Sequence, residues 1–519
     1  MRNDQLFAYA QENYQNFFCT INKKNYLFRA TLVNADGIAT DILKGAVKEL
    51  SLTDTIMNPS MSGYIIIDNP DNVIERYKTD PTKTEFGIRS THRGYRVRGD
   101  ARDLLMLSII PVDPSTNPYN EQSISYNKIF GIQFVFVIVD EADTSVDGSR
   151  AKKFTFDDID IQILKEKSIF FTTNSLLTNN NVAYMTDNER KVFVGDALKA
   201  IIRIGLGDPS VVASLSGTNL TPNFESGQSK IFYSSPTNNS AWDDVDYLLD
   251  WYVSNEPGRD FAFISKDHYT GEYTFESFSK MFLKAYDAQK DAGGQYFIEN
   301  LTIAGAQDVS NVVENDIKKP LYALELGETS DVLDVKFFNT PGAAYQSMVN
   351  TTIVSDYDHE SKEFHINAVD GNVNNVKNDF STLFVAPMKG KDNKPTPNFI
   401  INNTQRTNQN YRHIFVPYSG GDKDLAYAVG RNRVLRNALM LNIGAEITVQ
   451  GGLHRQSGKF ISIDRTGSYV DNDFDNKFLG IYFVVSVDHS FINDDEFISK
   501  IIAVKTYHFT DPHINENIS

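Results

Sequence analysis

The segment QGGLHRQSGKF, residues 450–460, carries glycines, a basic centre and a Gly-Lys pair, the ingredients of a phosphate-binding loop. That chemistry needs Gly, four residues, Gly-Lys and then Ser or Thr, running from a strand into a helix whose N-terminus faces the phosphate. Here five residues separate Gly452 from Gly458, and Phe460 stands where a magnesium-ligating hydroxyl belongs. Both flanks have strand patterning, so the segment reads as a turn connection between strands.

Other chemically suggestive clusters fail similar tests. His359 and His365 in HESKEFH are six apart, whereas a helical zinc motif holds its histidines four apart. On a strand they would lie about 20 Å apart, too far for one metal. DNDFDN (471–476) opens like a calcium loop, but Asn476 replaces the required glycine and Tyr482 the closing glutamate. There is no Gly-x-Ser-x-Gly elbow, and no Cys/His pair makes a convincing nucleophile. Asp243, Asp244 and Asp246 form a carboxylate group that a glycosidase could use, yet their spacing suits the wet face of an amphipathic helix. His489 and His508 sit in strand patterns and read as satisfied structural histidines. The expectation is a protein without catalytic residues, cofactor or metal.

Bulk properties narrow the class further. With 519 residues, 41% hydrophobic, 23% charged and 12% aromatic, the chain has material for roughly three globular domains. No secretory signal and no membrane-length apolar run is evident, and a single cysteine, Cys19, excludes an intramolecular disulfide framework. A reducing cytoplasm and no stable membrane association are expected. A net charge of −17 argues against general nucleic-acid binding. Against that trend, eight Lys/Arg face three acids between Arg76 and Arg102, which suits a solvated loop, a subunit contact or an anionic partner.

These residues need elements to hold them. Residues 1–170 read as a β-rich unit, with strands at YLFRATLV (26–33), AVKELSLTD (46–54), GYIIIDNP (63–70), FGIQFVFVIVDEAD (130–143) and the run KKFTFDDIDIQIL. Residues 171–320 read as a mixed α/β unit. It contains a helix in VFVGDALKAIIRIGLGD with a capping box at Thr186 and Glu189. A second helix is capped by Ser240, with Trp242, Val245, Leu248, Leu249 and Tyr252 on one face, and a hairpin follows at 261–278. Strand character returns in LYALEL and DVLDVKFF, so 321–350 and 421–512 form a second β unit around a polar insertion, 351–420. Within it lie a helix over 422–441 and strands at EITVQ, KFISID, GIYFVVSVDHSF and FISKIIAVKTYHF, the last two an antiparallel hairpin. The fold class is α+β, predominantly β.

The segment from NALMLNIGAEITV onward resembles the closing β-structure of baseplate hub proteins from contractile-tailed phages. The shared pattern is Gly480, Tyr482, Val484, Val487, His489 and Phe491. The order of elements along most of the chain is similar to the T-even-type hub subunit, apart from 76–102 and 351–420, which look like insertions. The resemblance implies two tube-like antiparallel β-barrel or sandwich domains flanking the mixed middle domain, although 1–170 and 325–510 share no visible sequence repeat. It also implies a homotrimer whose six β-domains form a pseudo-sixfold ring joining a hexameric tail tube, or a tube-initiator protein, to a trimeric central spike. Baseplate wedge proteins would be neighbours, and DNA would pass only in transit through the lumen. The place of such a protein is the virion baseplate, assembled in the host bacterial cytoplasm. Arg431, Arg433 and Arg436 are candidate interface residues because the charged face of the 422–441 helix has no obvious intrachain partner. Two other classes stay open: a tail-associated cell-wall hydrolase, and a β-rich receptor- or carbohydrate-binding baseplate protein presenting Tyr411, Tyr418 and Tyr469.

Overall fold

The computed structural model describes residues 17–21, 24–33, 39–42, 46–68, 84–85, 88–89, 103–112, 131–146, 148–177, 190–206 and 225–255 of the first half. Beyond these it describes 261–268, 271–290, 298–304, 332–338, 352–358, 363–369, 412–417, 428–429, 432, 436, 439–440, 443–466, 478–492 and 496–506. Several expectations fall elsewhere: the Thr186/Glu189 box, LYALEL, His359, 387–410, Tyr411, Tyr418, Arg431, Arg433, Tyr469, DNDFDN and His508 lie outside the described residues.

Strands dominate. The N-terminal part contains β1 (Phe17–Ile21), β2 (Lys24–Val33), β3 (Ala39–Ile42), β4 (Val47–Thr55), β5 (Ser60–Asp68), the short pair β6 (Thr84–Glu85) and β7 (Ile88–Arg89), β8 (Leu104–Val112), β9 (Ile132–Val146) and β10 (Ser149–Asp158). Strict alternation drives β4: Leu50, Leu52 and Asp54 point inward, and Ser51, Thr53 and Thr55 outward. Their inner residues, among them Phe28, Leu52, Ile65, Leu107, Phe134 and Phe154, build the first β core.

β10 ends sooner than the apolar alternation of KKFTFDDIDIQIL suggests, and IDIQIL is a correction to the strand reading. Helix α1 (Ile159–Glu166) begins there because the Asp158 carboxylate accepts the Asp160 N–H as an N-cap. Ile161 and Leu164, three apart, are buried by the helical turn. The middle region continues with β11 (Val192–Phe193), α2 (Val194–Leu206), β12 (Lys230–Ile231) and α3 (Ala241–Leu249). At the start of α3, Ser240 is the cap that the sequence suggests, and Asp243 completes it reciprocally as a capping box. Then come the hairpin strands β13 (Ala262–Lys266) and β14 (Tyr273–Ser277), followed directly by α4 (Phe278–Lys290). Helices α1 to α3 pack on this hairpin through Leu164, Leu198, Ile201, Val245, Leu248 and Phe275.

The later strands are β15 (Ile298–Ala304), β16 (Val332–Phe338), β17 (Thr352–Asp358), β18 (Glu363–Val369), β19 (Arg412–Pro417), β20 (Gly444–Gln450), β21 (Phe460–Thr466), β22 (Gly480–Ile492) and β23 (Glu496–Lys505). β17, β18 and β19 form a separate three-stranded sheet. β15, unanticipated along with α4, pairs in parallel with β21, and β15 also approaches β16. Around β16, β20, β23, β22 and β21 the inward residues Ile447, Val449, Ile461, Tyr482, Val484, Val487, Ile501 and Ala503 make a second β core. Among the described residues no helix is long and apolar enough to cross a membrane.

One sheet contains both cores. Its order runs β1-β2-β8-β9-β10-β5-β4-β22-β23-β20-β16, and the joint is the antiparallel pairing of β4 with the far half of β22. The near half of β22 pairs with β21 instead. The tip of the β22–β23 hairpin, Phe491 and Phe497, therefore packs in the first core while its base packs in the second.

Candidate functional site

The strand that switches partners is the one bearing the Gly-Tyr-Val-Val-His-Phe pattern. Its register against β23 shifts between Val484 and Ser486, a β-bulge. Tyr482 and Val484 are spaced by two; Val487, His489 and Phe491 resume that spacing after an extra residue. The bulge absorbs that residue, and all five side chains are buried. Gly480 starts the strand at φ 122, a conformation favouring glycine.

The 450–460 loop closes over this joint. It connects β20 to β21, so both flanks are strands, as the turn reading requires. Its glycines serve close approach: a Cβ on Gly451 would lie 2.1 Å from the Phe497 ring, and Gly458 adopts φ +76. Gly458 N–H donates to the Val484 carbonyl, and Val484 N–H donates to that of Lys459, each at 2.9 Å. On the other side of the bulge, Ile56 N–H donates to Val485 O at 2.9 Å.

Beneath the loop lies a buried polar cluster drawn from three parts of the chain. Asp54 of β4 meets His268 Nε2 at 3.1 Å. It also accepts from Ser457 N–H at 2.6 Å and from Ser457 Oγ at 2.9 Å. Burial raises the Asp54 carboxyl, but the attraction of His268 and the hydrogen bonds of His268 and Ser457 outweigh it, leaving a net lowering. Next to it His489 is fully enclosed. Its Nε2 lies 3.1 Å from the Arg455 carbonyl, which can only accept, so Nε2 bears the proton. Nδ1 then accepts from Ser499 Oγ at 2.9 Å, and Ser499 Oγ in turn accepts from Gly452 N–H at 3.1 Å. Burial, with repulsion from His268, lowers His489 to about 3, so it is neutral near pH 7. The structural reading of His489 holds.

Asp, His and Ser together suggest a nucleophilic relay, but the connectivity is wrong for one. Ser457 Oγ donates to Asp54 rather than to an imidazole, and Ser499 Oγ, which does donate to His489 Nδ1, is fully buried, with the far nitrogen of that ring held by the Arg455 carbonyl instead of a carboxylate. The pairing of Asp54 with His268 is nearly inaccessible, at 6% and 4% side-chain exposure. Among the described residues no group of three His, Cys, Asp or Glu could hold a metal ion.

A second buried cluster ties the first β unit to the middle hairpin. Lys266 Nζ, at the end of β13, lies 2.8 and 2.7 Å from the two oxygens of Asp158 and 2.9 Å from Asp160 Oδ2. The rings of Phe134 and Tyr273 flank it, each centroid at 5.2 Å. Burial pushes Asp158 up, against the pull of Lys266; burial also lowers Lys266, but the two carboxylates outweigh it and hold it above its ordinary value.

Two sequence expectations are revised. Asp244 is not on the wet face of α3: it is buried and accepts from Tyr233 Oη at 2.7 Å and from Ser235 Oγ and Asn239 Nδ2. Arg436, taken to lack an intrachain partner, forms an ion pair with Asp250 just beyond α3. The cause is tertiary: Ala428 and Val429 pack in the core of the middle unit.

No protein-family model matches the chain, and no curated protein matches it either. Among solved structures it aligns with a tail protein from Neisseria meningitidis at 8% identity and a TM-score of 0.44, covering 93% of this chain and 99% of that one. A 43 kDa tail protein of prophage MuSo2 from Shewanella oneidensis aligns at 8% identity and a TM-score of 0.44, over 92% and 98% of the two chains. A type VI secretion system component from E. coli, described as similar to the T4 bacteriophage tail proteins gp27 and gp5, aligns at 9% identity and a TM-score of 0.35, over 90% and 76%. Similarity at this level sets no residue correspondence.

Proposed function

We propose that this chain is a structural baseplate component of a contractile phage tail or a related injection system. In this reading it is a homotrimeric hub that joins a hexameric tube to a trimeric central spike, with binding geometry rather than turnover as its activity. The observation that supports it is the sharing of one hairpin between two β cores. A subunit with two cores fixed in one sheet offers two β units at a set spacing, so three subunits supply the six that a hexameric tube would meet. The buried polar clusters suit this role, since they hold chain segments together and present no accessible reacting group. Wedge proteins would be further partners, and DNA would cross the ring without being retained.

The test is electron-microscopy class averaging of the purified protein, with mass by light scattering, alone and with a trimeric spike. The expected result is a threefold ring with a six-lobed outline at three times 58.5 kDa. A monomer that forms no ring even with the spike would overturn the reading. A cell-wall hydrolase would instead release fragments from peptidoglycan, and a receptor-binding protein would retain cell-surface glycan.

A further inference from the structure

The Lys266 cluster contains more than an ion pair needs. A primary amine, a carboxyl group and a second carboxylate are gathered in one aromatic-walled site with 4% exposure at Lys266, 0% at Asp158 and 21% at Asp160. Nζ is almost equidistant from both Asp158 oxygens, at 2.8 and 2.7 Å, which places it on the plane that contains the carboxyl carbon. Asp160 Oδ2 touches the same nitrogen at 2.9 Å. Amine, electrophile and proton carrier are thus all within hydrogen-bond reach.

We propose that Lys266 and Asp158 condense into an intramolecular isopeptide bond, with Asp160 carrying the proton. The Lys266 ammonium first passes a proton to Asp158, giving a neutral amine beside a neutral carboxylic acid. The amine lone pair attacks Asp158 Cγ, and the C–N bond forms. Asp160 takes a second proton from the nitrogen and delivers it to the departing hydroxyl. The C–O bond breaks, one water leaves, and Asp160 is again a carboxylate. An ammonium and a carboxylate have become a neutral amide plus water, so atoms and charge balance with no oxidant or activating group.

Physical chemistry favours the reaction here and nowhere on the open surface. In water an amine and an acid stay ionised and apart. In a buried site the ion pair bears the cost of desolvating both charges, a cost the amide escapes. Fixed contact replaces an encounter, and well-oriented groups reach effective molarities of about 10⁵–10⁸ M. Phe134 and Tyr273 exclude the water that would reverse the step. The remaining amide oxygen can still accept the Asp160 N–H, so the cap of α1 survives. The bond would lock the end of β10 to the end of β13, closing a covalent loop between the first β unit and the middle hairpin. This holds whether or not the protein is a hub.

Intact-mass measurement of the denatured full chain, followed by tandem mass spectrometry of its peptides, decides the matter. The wild-type chain should be lighter than its sequence by one water, with the peptides holding residues 158 and 266 recovered as one branched species. Lys266→Arg should regain the full mass, and Asp160→Asn should leave a large uncondensed fraction. Wild-type peptides recovered unlinked after a day at 37 °C would overturn the proposal. So would an equal loss of water in Lys266→Arg, which would point to dehydration elsewhere, such as at Asp147–Gly148.

Discussion

At the scale of residues, the buried histidine gives the chain a definite response to acid. His489 is neutral when folded, lowered to about 3 by burial and then by repulsion from His268, against an ordinary value of 6.5. A lowered folded value means the unfolded chain binds the proton first. The associated stability is whole above pH 6.5 and declines as pH falls toward 3. The interval from 6.5 to 5 spans one and a half units, which at 1.36 kcal/mol each is a loss of about 2 kcal/mol. Asp54, itself lowered by His268 and Ser457, adds a loss at still lower pH, as the carboxylate protonates. Urea midpoints at pH 7 and pH 5 should therefore differ in the wild type and converge in His489→Gln; an unchanged difference would refute the assignment. Ser499→Ala strands both Nδ1 and the Gly452 N–H, and should cost about 1–3 kcal/mol at pH 7. His489 as a satisfied histidine was legible from its strand pattern. Asp54 was legible in principle, because it falls on the inward phase of AVKELSLTD. Its partners were not: Ser457 is 403 residues away in sequence, and nothing local marks that contact.

At the scale of elements, local rules succeeded where one period ran without interruption. The α3 cap, the β13–β14 hairpin and the β22–β23 hairpin were all readable, because alternation and capping residues agree there. IDIQIL misled because its apolar residues alternate, yet Ile161 and Leu164 also stand three apart, and only the cap at Asp158 decides for helix. α4 was missed because its buried residues Phe278, Phe282 and Ala285 continue the aromatic run of the hairpin; their partners Phe460 and Phe483 come from far along the chain. The bulge in β22 is the element-scale feature with the sharpest consequence. Inserting one alanine after Val487 breaks the alternation that the bulge restores, which sends His489 and Phe491 to the opposite face of the sheet. That variant should fail to fold, whereas Val485→Ala keeps the phase and should lose no more than about 3 kcal/mol. Chemical-denaturation curves of the two would separate register from side-chain size; equal stability would show the phase of the strand beyond the bulge to be incidental. A milder check is Ser240→Ala, expected to cost about 1 kcal/mol through the lost cap of α3.

For the whole molecule, the decisive fact is that neither β core is complete without the shared hairpin. Phe497 is buried at the hairpin tip, stacked on Phe491 with centroids 3.9 Å apart and set edge-on to Tyr26 of β2 at 5.9 Å. Four residues further along the same strand, Ile501 fills the second core. Loosening the tip should be felt in both cores, since β22 hydrogen-bonds to β4 along one half and to β21 along the other. Such long-range pairing is invisible in a sequence, where β4 and β22 are separated by the entire middle region. Phe497→Ala is the direct probe, with an expected loss of about 3–5 kcal/mol. Native-state hydrogen exchange should then show faster opening not only in β2 and β4 but also in β21, which pairs with β15 and β22 and not with the strand that bears Phe497. If only the N-terminal strands lost protection, the two cores would be independent units that touch. The sheet would then offer no fixed spacing between them, and the mechanical basis of the proposed hub would be gone. Joint loss would mean that the two cores open as one cooperative unit, as the proposed hub requires.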